Sequence, residues 1–178
     1  HTWQRAAQKI MNQLGAGPDD EKLLVAREDS AAVEQRAVTA FREKRYAEAA
    51  AWFNAVLSLK PKDKDVLYNL ALAQAEAGNM LDASCSVLKV LQHNPDDGEA
   101  WALVAETLLA LGDTGSAQRA FKTAQRLGAV GEEARGTFEA AALAVTPQIT
   151  NIWQHGYFAE EVGKLIARTS STSRFGDR

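Results

Sequence analysis

The side chains able to do chemistry are few and scattered. The histidines are His1, His93 and His155, and Cys85 is the single cysteine. Spread over the whole chain, they form no spacing that would hold a zinc ion. His93 stands before Asn94-Pro95, at the end of a helical stretch, where an exposed histidine is ordinary. Cys85 reads as a half-buried residue of a helix, without the paired base and electropositive setting that a nucleophilic thiolate needs. No glycine-rich phosphate loop or nucleophile-elbow serine is present. The acid pairs Asp19-Asp20, Asp96-Asp97, Glu132-Glu133 and Glu160-Glu161 all fall where helices should start, and there they complement the helix dipole. These readings lead to no catalytic residue, no cofactor and no metal ligand, and the chain is not expected to be an enzyme.

The elements around these residues carry more information. With 178 residues, 46% hydrophobic and 24% charged, the chain can build a sizeable core. No apolar run approaches the roughly 20 residues that span a bilayer, so direct membrane insertion is not expected. Charge is uneven. Residues 1–14 carry +2 and residues 164–178 carry +3, which leaves about -8 between them out of a net -3. An acidic body speaks against nucleic acid, whose phosphates call for a basic face.

The stretch from Trp101 to Phe121 repeats its apolar residues at helical spacing on both sides of a break at Gly112-Asp113. It reads as two short helices folded back on each other, and it has copies. Ala37, Ala71 and Ala105 are 34 residues apart, as are Ala49, Ala83 and Ala117. Phe53, Val87 and Phe121 keep the same interval, as do Val56, Val90 and Ala124, and the pairs Gly78/Gly112 and Pro61/Pro95.

A 34-residue period of paired helices resembles the tetratricopeptide repeat. The likeness covers about residues 30–131, in copies 30–63, 64–97 and 98–131. Val33, Leu67 and Trp101 match the large apolar residue early in the first helix. The alanine sets match the small residues where two helices touch closely. Copy one departs, with Arg36 where the family prefers leucine and Lys44-Arg45 at the turn. The resemblance implies an all-α fold, a right-handed α-solenoid of helix-turn-helix hairpins with capping helices at both ends.

The flanks extend this plan. Trp3, Ala6, Ala7, Ile10, Met11 and Leu14 share one helical face in an N-terminal segment, 1–29. Residues 20–29 are expected to be a short lead-in helix, with Ser30 as a cap. Residues 132–146 read as a capping helix with Ala134, Phe138, Ala141, Ala142 and Val145 inward. Pro147 stops it from becoming a fourth repeat. Residues 147–169 form an aromatic helical segment. The polar residues 170–178 read as a disordered tail.

With no reaction centre, function is expected on a surface. In the family the first helices line a concave groove. Carried over by register, the groove positions are Glu34, Val38, Phe41 and Arg42 in copy one. Copy two offers Asp65, Tyr68, Asn69, Leu72 and Glu76. Copy three offers Glu99, Ala102, Glu106 and Leu109. One subclass grips C-terminal carboxylates with basic and amide groups; only Asn69 matches it, and Glu34, Val38, Glu99 and Leu103 stand in the other places. Carboxylates there would repel an anionic peptide end. The expected partner is a protein segment with apolar anchors and some Lys or Arg. Trp153, Tyr157, Phe158 and Val162 are open to two roles: packing on the last repeat, or contacting a partner. A head-to-tail or swapped homodimer is also allowed.

The reading that follows is a non-enzymatic interaction scaffold. The regular, alanine-rich repeats suggest a bacterial multi-protein assembly such as a pilus, secretion or envelope machine. The compartment, cytoplasm or periplasm, is left open, as is attachment to an envelope complex. The alternative is a secretion chaperone that cradles an unfolded client segment, against which the long C-terminal extension counts.

Overall fold

The computed structural model describes residues 18–145 and 152–170, and side chains within 30–145 and 156–170. The expectations for the Trp3 segment, for Pro147 and for residues 171–178 lie outside the described residues. Eight α-helices and no strands are present among those described: α1 (Pro18–Arg42), α2 (Tyr46–Leu59), α3 (Lys64–Glu76), α4 (Met80–His93), α5 (Gly98–Ala110), α6 (Thr114–Arg126), α7 (Glu132–Ala144) and α8 (Ile152–Arg168). The chain is all-α and built of consecutive helical hairpins. It divides into two compact units, one ending at Lys62 and the next beginning at Asp63.

In the first unit α1 packs on α2. One difference from expectation is that α1 runs unbroken through residue 29. Ser30 is therefore no cap but a buried residue within the helix. Nothing at 29–30 is able to break a helix, since neither glycine nor proline is there. Phe41 meets Tyr46 edge to face, centroids 5.2 Å apart, across the hairpin turn.

That turn explains the irregular look of copy one. Lys44, Gly78 and Gly112 sit 34 residues apart and share a left-handed backbone, with φ of 60°, 86° and 82°. Glycine adopts that conformation freely, whereas lysine is strained in it. Copy one thus keeps the turn of the other two copies with a residue ill-suited to it.

In the second unit α3 packs on α4, α4 on α5 and α5 on α6. The register sets meet in its core: Ala71, Ala83 and Ala117 are 0% exposed and Ala105 is 1%. Trp101 is fully buried, and its indole N–H donates to the Pro95 carbonyl at 2.8 Å. Asp63 and Asp97, again 34 apart, cap α3 and α5 by accepting backbone N–H groups of Val66 and Ala100.

The array changes character after copy three. On α4, Ser84, Leu88 and Leu91 are buried; 34 residues on, α6 carries Gln118, Lys122 and Gln125. Polar residues replace the face on which a further repeat would dock, as the end of a solenoid requires. The partner face is missing too. Where Leu67 and Trp101 fill the core, α7 has Arg135, and where Ala71 and Ala105 touch, it has Glu139. Of the five residues expected to face inward on α7, only Phe138 is buried, stacked on Phe121 at 4.2 Å; Ala141 is exposed. An open cleft of about 370 Å³ remains between α6 and α7 above that stack.

The C-terminal helix α8 packs on α6 and α4, the second helices of copies three and two. Phe158, Val162 and Leu165 are at most 2% exposed. Arg119 donates to the Ala159 carbonyl at 2.8 Å, Arg168 to the Gln92 carbonyl at 3.2 Å, and Arg126 to the Thr169 hydroxyl. Early α8 thus meets early α6, and late α8 meets the ends of α4 and α6, so all three helices run the same way.

Candidate functional site

The groove positions divide between the units. In the first, Glu34, Val38 and Phe41 are half-buried on α1 and Arg42 is exposed. In the second, α3 lies against α5 and brings the remaining positions together. Tyr68, Asn69 and Leu72 are half-buried along α3, while Asp65 and Glu76 are exposed. On α5, Ala102 is half-buried and Glu99 and Glu106 are exposed. Leu109 departs from expectation: it is 9% exposed and offers almost no surface. The reason is that α5 is covered on three sides, by α3, α4 and α6.

This face is acidic around an aromatic centre. Burial pushes the Tyr68 phenol pKa up first, and the charges of Glu99, Asp97 and Glu106 push it further. The Glu106 residue is exposed, yet its carboxyl is partly shielded from water, and that desolvation first, then Glu76, raises it above the ordinary carboxylate range. Each shift has the same origin: negative charge gathered in a partly desolvated place. A positive side chain entering here would be favoured twice, by attraction and by relief of that repulsion. Leu72 supplies adjacent apolar surface, and Asn69 an amide.

The second candidate contact resolves differently. Phe158 and Val162 belong to the chain's own core beneath α8, at 2% and 0% exposure, and are closed to any partner. Helical spacing brings them, with Leu165, onto the one face of α8 that α4 and α6 cover. Tyr157 stays 50% exposed, its ring edge-on to Phe158 at 5.4 Å. The side chain of Trp153 lies outside the described residues. Cys85 is half-buried, and burial raises its thiol pKa, the opposite of an activated thiolate.

Among the described residues no group of three or more His, Cys, Asp or Glu could hold a metal ion. No described helix is long and apolar enough to cross a membrane. The sequence reading missed the link between Asp96 and Ser170. The Ser170 backbone N–H and hydroxyl both donate to the Asp96 carboxylate, at 2.7 Å and 2.6 Å. Nothing in the spacing of two residues 74 positions apart signals such a contact.

Residues 32–63 match the family model of the tetratricopeptide repeat. The matched segment is copy one, the least regular of the three by its turn residues. No curated protein matches the chain.

Proposed function

We propose that this chain, built of tetratricopeptide repeats, is a scaffold that binds a protein segment along the face formed by α3 and α5. Such repeats mediate protein–protein interaction and are typically non-enzymatic. The observation that carries the finer reading is the acidic ring of Asp97, Glu99 and Glu106 around half-buried Tyr68, with Glu76 against Glu106. Its complement is a segment with apolar anchors spaced among lysines or arginines. The setting we infer, a bacterial multi-protein assembly, rests on analogy with other repeat scaffolds.

The test compares labelled peptides of alternating leucine and lysine with leucine–glutamate peptides of equal length. The basic peptide should bind at least tenfold more tightly. A Tyr68→Glu, Leu72→Glu double variant should lose it while keeping its helical signal. Equal binding of the acidic peptide would overturn the reading.

A further inference from the structure

The last hairpin of the array holds a second open site. The cleft of about 370 Å³ between α6 and α7 is floored by the stacked rings of Phe121 and Phe138. Its α6 wall carries Gln118, Lys122 and Gln125, spaced along one side of the helix. Its α7 wall carries Arg135 and Glu139, which pair at 2.9 Å and offset each other; Glu132, not part of the lining, meets Arg135 at 3.6 Å. Lys122 is exposed and has no ion-pair partner among the described residues. The charge left over in the lining is therefore positive, with an amide on either side of it.

A polar end is what closes a solenoid, and it accounts for the glutamines. It does not account for Leu143. That residue lies one turn beyond Glu139 on the same side of α7 and is 89% exposed, whereas Leu109, one repeat earlier, is 9% exposed. The difference arises because α7 lacks a second helix of its own. It spans Glu132–Ala144, in register with α5 at Gly98–Ala110, but α8 packs on α6 and α4 instead. An aromatic floor, an apolar ledge and an amide-flanked cation thus lie side by side.

We infer that this cleft docks an acidic–aromatic segment of a partner protein. One aromatic side chain of the segment enters over Phe121 and Phe138, and a neighbouring carboxylate meets Lys122. The inference is independent of the α3/α5 reading and concerns a ligand of opposite charge.

Size favours a single anchor. Ligand pockets span about 300–1,000 Å³, and this cleft lies near the lower bound. It has room for a side chain and its backbone, not for a helix about 10 Å across. An incoming ring gains edge-to-face contact with the stacked pair. The carboxylate accepts from the Lys122 ammonium and from the amides of Gln118 and Gln125, which supply the donors its two oxygens call for. Leu143 extends the apolar contact along the segment. Since Phe138 is the only buried residue of α7, a ligand that touches both walls ties α7 to α6.

The experiment titrates three labelled hexapeptides onto the full chain: phenylalanine among glutamates, the same peptide with serine for phenylalanine, and the same with glutamine for glutamate. The acidic–aromatic peptide should bind about tenfold more tightly than either of the others. Lys122→Glu, at an exposed position, should remove that advantage over the glutamine peptide. The Tyr68→Glu, Leu72→Glu variant should leave it intact, and the leucine–lysine peptide should be indifferent to Lys122→Glu, so each reading fails separately. Bound peptide should also slow hydrogen exchange over residues 132–144. Equal binding of the serine or glutamine peptide, no response to Lys122→Glu, or unchanged exchange over α7 would overturn the inference. Loss of the acidic peptide in the Tyr68, Leu72 variant would do the same, by placing it on the other face. A chain that sediments as a dimer, and as a monomer with Lys122→Glu, would show a second copy in the cleft and overturn the separate partner.

Discussion

Single residues set the sharpest expectations. Lys44 occupies a left-handed position that copies two and three give to glycine. Lys44→Gly should stabilise the first unit by about 1 kcal/mol, read as slower hydrogen exchange over residues 30–62. Trp101 fills the core of copy three and uses its only polar atom. Trp101→Ala should cost about 3–5 kcal/mol, seen as a lowered urea midpoint of the second unit. Glu106 brings a pH dependence. Its carboxyl holds a proton in the folded chain at a pH where the unfolded chain, near the ordinary 4.5, has lost it. Stability therefore falls as pH rises from that value through the raised one. Glu106→Gln should flatten this slope in thermal unfolding followed against pH. A bound lysine reverses the balance, so affinity for a basic peptide should rise over the same window.

At the level of elements, the sequence was most readable where periodicity and packing coincide. Every 34-residue alanine set, and the Phe53 and Val56 sets, lies in the core, because close helix contact admits only those sizes. Tyr68 and the acids of α3 and α5 were carried over by register, and the structure puts them on the first helices of their hairpins, α3 and α5. What stayed hidden depends on pairing across long stretches of chain. Helical spacing showed that Phe158 and Val162 share a face of α8, yet not that α4 and α6 would cover it. The inward face of α7 was overread because a helical stripe says nothing of the surface it meets, here made polar by Gln118, Lys122 and Gln125. Phe138→Ala should accordingly release α7. Exchange over 132–144 should approach that of a free helix, while α3–α6 keep their protection, because Phe138 is the only buried residue of α7.

For the molecule as a whole, the unbalanced charge that matters is the negative charge gathered on the α3/α5 face. The exposed ion pairs, such as Lys164 with Glu160 and Arg135 with Glu139, are each worth little. Salt should therefore act chiefly on binding. Affinity for the leucine–lysine peptide should fall several-fold between 50 and 500 mM salt, on the order of the screening that shortens the Debye length from about 14 to 4 Å. The unfolding midpoint should move far less.

The docking of α8 also bears on how the chain folds. Repeat arrays have neighbour-only contacts, so they assemble quickly and fray from their ends. Here Arg168 reaches back 76 residues and Ser170 reaches back 74, which closes a loop over copy three. The hairpins can form on local contacts in any order, but α8 has no surface to settle on until α4 and α6 stand side by side. Its docking should thus be a late step of folding, and while it holds, copies two and three should melt together.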